Sequence, residues 1–428
     1  MTHSVSQAPP EVGFLHHLLG HPVDLAGHIE AHGALAVSLG HGTSWQRALV
    51  ASLEESGLAG RGGGGFPASI KLAVARAGGH GGTVLVNGME SEPASDKDKL
   101  LLTRAPHLVL DGAQYLAALC RAKRIVVCIP FGSDGVAAAV GHAIDERSAA
   151  RYARVSETVV VPPDRFVAGE ESALVNFVEN GLSLPVFRAD KGSALRIQKR
   201  PALVHNAETL AHIALIARHG PAPFRARGMA EEPGTCLVTI GGAVELPGVV
   251  EVDRGVPLRD IAQLSRPVEP AQAFLVGGYG GTWVGPEGFG TPYASMSLRT
   301  IGASAGVGII VVLGAEACGV AESARIARFL ADQSAGQCGP CVFGLPAVAE
   351  DLAQLARGQA SAGLMPRLDR RLGEISGRGA CRHPDGAVNL VRSALTVFAA
   401  DVAAHAQGRP CAHRHKPSAL RFPRPIAI

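Results

Sequence analysis

Five glycines fall within six consecutive positions in Gly60-Arg61-Gly62-Gly63-Gly64-Gly65, and Phe66-Pro67-Ala68-Ser69-Ile70-Lys71 follows directly. A packed helix or strand does not use glycine at that density, because each glycine loses much backbone freedom on ordering and buries no side chain. What glycine supplies is φ > 0 and main-chain N–H groups that approach a ligand without a Cβ in the way. That suits a phosphate or a flat ring. Pro67 presets φ for a helix start, and Ile70 to Ala75 read as its first turns. Lys71 then sits near the positive end of that helix, an unfavourable place unless an anion is close. A flexible glycine linker is the plain alternative, and the interleaved Arg61, Phe66 and Lys71 count against it.

The 428 residues are 47% hydrophobic, enough for about two to four cored domains. Aromatics make up only 4% and glycines number 53, so Ala and Gly must fill much of the interior. A net charge of +3 is too mild to argue for nucleic acid or an anionic membrane surface. No apolar run reaches ~18 residues, so no direct membrane insertion is expected. Met1 to Pro10 lacks a basic start followed by an apolar core. Together with eight cysteines in a long chain, this points to reduced thiols or metal ligands and a cytoplasmic protein.

Residues 1–45 read as an irregular N-terminal tail, and Ser44 to Ser56 as a helix with Trp45, Leu49 and Leu53 on one face. Strand-like runs at Thr83–Val86, Ile125–Ile129 and Val159–Val161 alternate with helical stretches at 107–119 and 135–147. That alternation predicts an α/β domain with a parallel, Rossmann-like sheet. Asn87-Gly88-Met89-Glu90-Ser91-Glu92-Pro93 falls at the carboxyl end of a strand, where ligands gather. Its bland reading is a solvated acidic turn. Gly169-Glu170-Glu171 opens a helix, for which simple capping is the alternative. His205-Asn206-Ala207-Glu208-Thr209 joins a strand to a helix start, a natural anion site. Pro221 to Pro233 reads as a linker. A compact β unit follows, in which Gly277 to Gly281 precede no helix and therefore read as hairpin turns. Helical stretches at 317–335, 345–357, 365–375 and 386–404 predict a small bundle. The basic, Pro-rich tail from Gly408 reads as loose. Cys338, Cys341 and Cys381 make a C-x-x-C pair with one distant partner, which suits zinc as well as an iron–sulfur cluster. Cys120, Cys128 and Cys318 read as packing. Cys411, His413 and His415 place further donors on the tail.

GRGGGGFPASIK, NGMESEP with Lys97-Asp98 behind it, FVAGEESAL and KRPALVHNAETL resemble, in order, four signatures of one family. Its members are the flavin-bearing, NADH-oxidising subunits of respiratory complex I and of NAD-reducing hydrogenases. The resemblance runs from about Glu54 to about Ala400. It implies a Rossmann-like FMN-binding domain over 46–225, a soluble-ligand-binding β-grasp domain over 234–313 and a helical iron–sulfur domain over 314–407, with a loose tail over 408–428. It implies FMN held by Gly60, Arg61, Gly62, Gly63, Gly64, Gly65, Lys71, Asn87, Glu90, Gly169, His205, Asn206 and Thr209. NADH would be handled by Phe66, Glu92, Glu170 and Glu171. Hydride would pass directly to the flavin with no acid–base residue, and electrons onward to an iron–sulfur or quinone-linked partner, peripheral to a membrane complex. Cys338, Cys341 and Cys381 match three of the four cluster ligands. The chain departs from the family at Met89, where the family has Asp, at the missing PPFP turn, and at Ala335, where the family has the first cluster cysteine. A [4Fe–4S] cluster with a non-cysteine corner, a [3Fe–4S] cluster and an empty site all remain open. So do a non-catalytic scaffold and an FMN protein with another electron donor.

Overall fold

The computed structural model describes residues 24–37, 44–188 and 192–423. Of the expected N-terminal tail, residues 1–23 and 38–43 lie outside the described residues. The part between them is not irregular. Leu25–His32 is a helix whose first turn is capped by Asp24, which accepts the Gly27 N–H at 2.8 Å. It turns Leu25 and His28 inward, and the buried His28 ring meets Asp111 at 2.8 Å.

The first sheet contains β1 (Thr83–Asn87), β2 (Arg124–Cys128), β3 (Ser156–Val160), β4 (Leu195–Ile197) and β5 (Arg200–Asn206). Its order is β3-β2-β1-β5-β4. β1, β2, β3 and β5 run parallel, as the alternating pattern predicts, and β4 adds an antiparallel edge. The chain builds outward from β1 through β2 to β3, then returns to the other side of β1 as β5. The gap between β1 and β5 is therefore the switch point of the sheet. Register places Asn87 opposite Asn206 there, at the carboxyl ends of both strands.

The helices Pro106–Cys120 and Ala207–His219 pack together against this sheet, and every residue of the first is buried. Gly112 makes the crossing possible, since a Cβ there would stand 2.0 Å from the Leu210 carbonyl oxygen. Buried Asp111 on the same helix accepts from Arg147 at 2.7 Å and from Arg218, while Arg147 also pairs with Glu157 at 2.9 Å. Burial alone would raise the Asp111 carboxyl, but His28 and the two guanidinium groups hold it far below the usual range.

Pro221 to Pro233 is folded and is not an extended linker. Pro221–Arg225 is a short helix, Phe224 is fully buried, and Gly228 bridges Pro233. The second sheet has β6 (Thr235–Gly242), β7 (Gly248–Asp253), β8 (Ala271–Val276), β9 (Thr282–Val284) and β10 (Ile309–Gly314) in the order β7-β6-β10-β8-β9. The central pair β6/β10 is parallel and the others are antiparallel. Gly277 to Gly281 form the β8–β9 turn, and φ of +92° and +98° at Gly277 and Gly278 explains the glycines.

Helices Gly319–Asp332, Leu345–Arg357, Leu364–Ile375, His383–Val397 and Ala399–Ala406 make the C-terminal region. The single helix expected over 386–404 is two, bent by 87°. The tail is not loose over its described residues. Tyr279 donates its hydroxyl to the Arg421 carbonyl, Arg325 reaches the Lys416 carbonyl at 3.2 Å, and Ser418 donates to Glu322 at 2.5 Å. Leu420 is buried, and the Phe422 ring lies 5.2 Å from Tyr279. These two apolar pegs outweigh the basic, Pro-rich composition around them. Among the described residues, no single helix is long and apolar enough to cross a membrane.

Gly112→Ala is expected to destabilise the fold by about 3 kcal/mol or more, because backbone and not a flexible side chain must give way. Denaturant unfolding of the two proteins measures this, and a difference near zero would show that the helix crossing is loose.

Candidate cofactor site

The glycine loop is closed at its base. Gly60 donates its N–H to the Phe66 carbonyl at 2.9 Å, and Ala68 to the Leu58 carbonyl at 2.9 Å. Arg61 anchors it inward. Its N–H donates to Thr209 Oγ1 at 2.9 Å, its guanidinium donates to the Thr235 carbonyl at 2.9 Å, and its Nε lies 3.8 Å from Glu208. Gly63 (φ +101°) and Gly65 (φ +59°) adopt left-handed backbone, and a Cβ on Gly62 would stand 3.2 Å from Asn206 Cβ. The loop therefore lies directly over the start of the helix that follows β5.

That start is held by a buried charged cluster. Asn206 caps helix Ala207–His219 by accepting the Glu208 N–H at 3.0 Å, and donates to Asp98 at 2.5 Å. The buried Lys97 ammonium donates to Glu208 at 2.7 Å and to Asp98 at 3.2 Å. Burial raises the Glu208 carboxyl, but Lys97, His212 and Arg61 together outweigh it and hold it down at about 2. The more weakly attended Asp98 moves the other way, upward, because burial dominates. Glu208 also accepts the Leu237 N–H of β6 at 2.8 Å, which joins the two sheets.

The loop after β1 is ordered by its own polar groups. Asn87 donates to the Gly169 carbonyl at 2.9 Å and accepts the Met89 N–H at 3.1 Å. Glu90 caps helix Lys97–Arg104, accepting the Asp98 N–H at 3.0 Å and the Lys99 N–H at 2.8 Å. Glu170 caps helix Glu171–Asn180 through the Ser172 and Ala173 N–H groups at 2.9 and 3.2 Å. Glu170 thus plays the capping part that was its plain alternative, while Glu90, 6% exposed, is a buried cap and not the solvated acidic turn of its plain alternative.

Between these elements lies a cavity of about 1090 Å³, counted with its open mouth. Its enclosed space of about 300 Å³ is at the lower end of small-molecule sites, roughly 300–1,000 Å³. Gly62, Asn87, Met89, Glu90, Glu92, Gly169, Glu170 and Asn206 line it from the first sheet. Gly277, Gly280, Gly306 and Val307 close it from the second sheet, and Cys381, His383 and Gly386 from the helical region. Glu92 is 8% exposed; one carboxylate oxygen accepts the Tyr279 N–H at 3.0 Å and the other is buried without a partner. Burial pushes this carboxyl up to about 7, although the Tyr279 and Ala94 N–H groups pull against it. A second cavity lies behind the loop, against Gly60, Arg61, Gly63, Gly64, Gly65, Lys97 and Arg254. The Nε atoms of Arg61 and Arg254 are buried without hydrogen-bond partners.

Several expected residues stand elsewhere. Lys71 pairs with Glu171, and neither lines a cavity, so the positive charge at that helix start is met from within the protein. Thr209 is fully buried and committed to Arg61. His205 is buried on β5, where burial and Lys71 keep it neutral. Phe66 is 52% exposed and outside both cavities. Sequence reasoning missed the closing wall of Gly277, Gly280, Gly306 and Val307; His383, which sequence places near the cluster motif as a side chain for its open corner, lines the same cavity. The Gly277–Gly281 run was the available signal, and its hairpin role is correct but incomplete.

Cys338 and Cys381 are half-buried and Cys341 is buried. The Cys341 and Val342 N–H groups both donate to the Cys338 carbonyl at 3.0 Å, which curls the C-x-x-C turn into the following helix. A cubane held by four cysteines does not fit these residues, because Ala335 offers a methyl group at the fourth place. His383 beside Cys381 donates Nε2 to the Leu330 carbonyl at 2.7 Å, which leaves Nδ1 bare, buried and without a partner.

The family model described as "Nuo51 FMN-binding domain" matches residues 53–215, and "NADH-ubiquinone oxidoreductase-F iron-sulfur binding region" matches 321–405. The chain is 29% identical to the second F-type NADH-quinone oxidoreductase subunit of Rhizobium meliloti over 380 residues, 85% of this chain and 90% of that protein. It is 28% identical to the corresponding F-type NADH-quinone oxidoreductase subunit of Escherichia coli over 372 residues, 82% of each. Among solved structures it resembles an NAD+-reducing [NiFe]-hydrogenase in the H2-reduced state, with TM-score 0.79 and 27% identity over 92% of this chain. The chain spans 66% of that hydrogenase chain.

The raised Glu92 carboxyl has a consequence for stability. In the unfolded chain this group loses its proton near 4.5, and in the fold at about 7. Between those values the unfolded chain ionises first, so stability falls as pH rises through that window and the whole cost is present above it. Glu92→Gln cannot ionise and is expected to be more stable than the parent at pH 8 by ~1–3 kcal/mol, with the difference shrinking toward zero near pH 4.5. Chemical denaturation at the two pH values checks this; a pH-independent difference would show that Glu92 ionises freely.

Proposed function

Because this chain belongs to the flavoprotein family of complex I and the NAD-reducing hydrogenases, with FMN-binding and iron–sulfur-binding regions, we propose that it is an NADH-oxidising flavoprotein holding FMN non-covalently in the main cavity. The observation that carries this reading is the cavity at the β1/β5 switch point, roofed by glycine backbone and holding one buried, uncommitted carboxylate oxygen. FMN, when bound, supplies the chemistry of accepting hydride and releasing single electrons. Gly62 and Gly169 let the walls close tightly, since a Cβ there would stand 3.2 Å from Asn206 Cβ and 3.0 Å from the Met89 carbonyl oxygen. Met89, Phe166 and Val307 give apolar faces to a ring, and of the glycine loop Gly62 stands at its edge, while Gly63, Gly64 and Gly65 face the second cavity. Arg61, Lys97, Arg254 and Arg299 outnumber Glu208 in the lining of the space behind the loop, an excess of positive charge that favours an anionic cofactor group. Glu92 and Glu170, which line the cavity, are assigned to the nicotinamide nucleotide, while Glu171 and Phe66 stand outside it.

The strand order of the second sheet, with its central parallel pair, supports reading 234–313 as a β-grasp domain between a Rossmann-like domain over 46–225 and a helical iron–sulfur region over 314–407. The family is one of multisubunit complexes, so we assign an iron–sulfur protein as partner and a cytoplasmic place beside a membrane complex. No electron route is drawn through Cys338, Cys341 and Cys381, since these three thiols do not complete a four-cysteine site. A second reading, a non-catalytic scaffold, is favoured by Met89 and Ala335, which remove an acid and a thiol from functional positions.

The purified protein is expected to bind FMN, and NADH added without oxygen is expected to bleach it. Flavin absorbance reads both. A chain that binds no FMN supports the scaffold, and bound flavin that neither NADH nor NADPH bleaches points to another donor.

For the cluster motif, reconstitution with iron and sulfide is expected to leave about three or fewer firmly held irons in the parent and four in Ala335→Cys. Iron and sulfide counts with the spin signal decide it. Four irons held equally in both proteins would mean that another side chain has taken the open corner.

A further inference from the structure

Cys318, His405 and Cys411 come together although no sequence motif joins them. We propose that they form a binding site for a thiophilic divalent cation of the zinc class, which fastens the C-terminal segment to the helical region. Cys318 caps helix Gly319–Asp332, His405 ends helix Ala399–Ala406, and Cys411 begins the segment that runs back over the bundle. Their ligand atoms all lie within 4.8 Å of one another, the only such group of three among the described residues. Cys318 Sγ and His405 Nε2 are 3.8 Å apart. Tetrahedral zinc, with Zn–S near 2.3 Å and Zn–N near 2.0–2.1 Å, sets its sulfur–nitrogen edge at roughly 3.6 Å. The Cys318–His405 edge therefore needs to contract only slightly, and the Cys411 sulfur lies within 4.8 Å of both ligand atoms.

The ring is already oriented for ligation. His405 Nδ1 lies 3.2 and 3.1 Å from the Leu355 and Ala356 carbonyls, which only accept, so Nδ1 carries the proton. Nε2 then presents its lone pair toward the two thiols. A ligating histidine characteristically fixes its other N–H on a carbonyl in this way. Cys318 sits at a helix N-terminus, where its sulfur accepts the Ala321 N–H at 3.4 Å. The Cys411 N–H meets the Nε2 lone pair at 3.2 Å. A cation displaces that one bond, and Cys411, half-buried on a connecting segment, is placed to make the shift. Its half-exposed side leaves a fourth position to water.

The site is separate from the cluster motif. The helix that starts at Cys318 spans 14 residues, about 21 Å, before the chain reaches Cys338. It nevertheless bears on the main cavity. The segment it would fasten carries the Arg421 carbonyl that accepts from Tyr279, and the Tyr279 N–H orients Glu92. The plain alternative is a packed histidine beside two inert thiols.

Cobalt(II) titration of the full-length protein separates the two, because tetrahedral thiolate-bound cobalt absorbs characteristically. Cys381→Ser, which disrupts the cluster motif, is expected to keep one tightly bound cobalt with thiolate bands. Cys381→Ser combined with Cys411→Ser is expected to lose that one equivalent. Adding Cys411→His instead is expected to retain the ion with about half the thiolate band, one sulfur having replaced two. Equal cobalt binding with and without Cys411 would overturn the proposal. So would a Cys318–Cys411 disulfide in anaerobically purified protein that carries no ion.

Discussion

The buried pair between Lys97 and Glu208 is the interaction on which the rest of the site depends. Each side chain is 1% exposed, and removing two charges from water is costly unless geometry and further hydrogen bonds compensate. Here they do. Lys97 also reaches Asp98, and Glu208 also accepts from Leu237 and faces Arg61. One cluster therefore fixes the loop after β1, the helix start after β5, the first strand of the second sheet and the anchor of the glycine loop. Removing either partner would strand the other charge in the interior, at a cost of about 3–5 kcal/mol.

With the rear wall held this way, most polar groups around the cavity are committed to the protein itself. Glu90, Glu170 and Asn206 cap helices. What is left for a ligand is glycine backbone, apolar surface at Met89 and Val307, and the free atoms of Glu92 and His383. Such a surface grips a large flat group by shape and contact and keeps few charged partners for its edge. Tyr279 links the cavity outward, since its N–H meets Glu92 and its hydroxyl meets the C-terminal segment.

Local signals made much of this legible in the sequence. The glycine run, the carboxyl end of β1, and the Asn206 helix start declare themselves by spacing, and helix Ser44–Ser56 has the bounds that its apolar face predicts. What stayed hidden depends on contacts distant in the chain. Nothing near Lys97 shows that its partner is Glu208, more than a hundred residues on, and nothing near Lys71 shows that Glu171 takes its charge. The tail reads as loose because its composition is basic and Pro-rich, yet two side chains, Leu420 and Phe422, suffice to dock it. Cys318 reads as packing until the fold brings His405 and Cys411 beside it.

The central claim is that the cofactor lies between the glycine loop and the second sheet. Val307 tests it most directly. It is half-buried on the second sheet's side of the cavity, and a Cβ on Gly63 would meet its side chain at 3.3 Å. Val307→Trp should fill the space from that side without touching the Lys97 cluster. Measured by flavin fluorescence, FMN affinity should fall at least about tenfold, ~1.4 kcal/mol, with the unfolding midpoint nearly unchanged. An unaltered FMN affinity in a folded Val307→Trp protein would contradict the account.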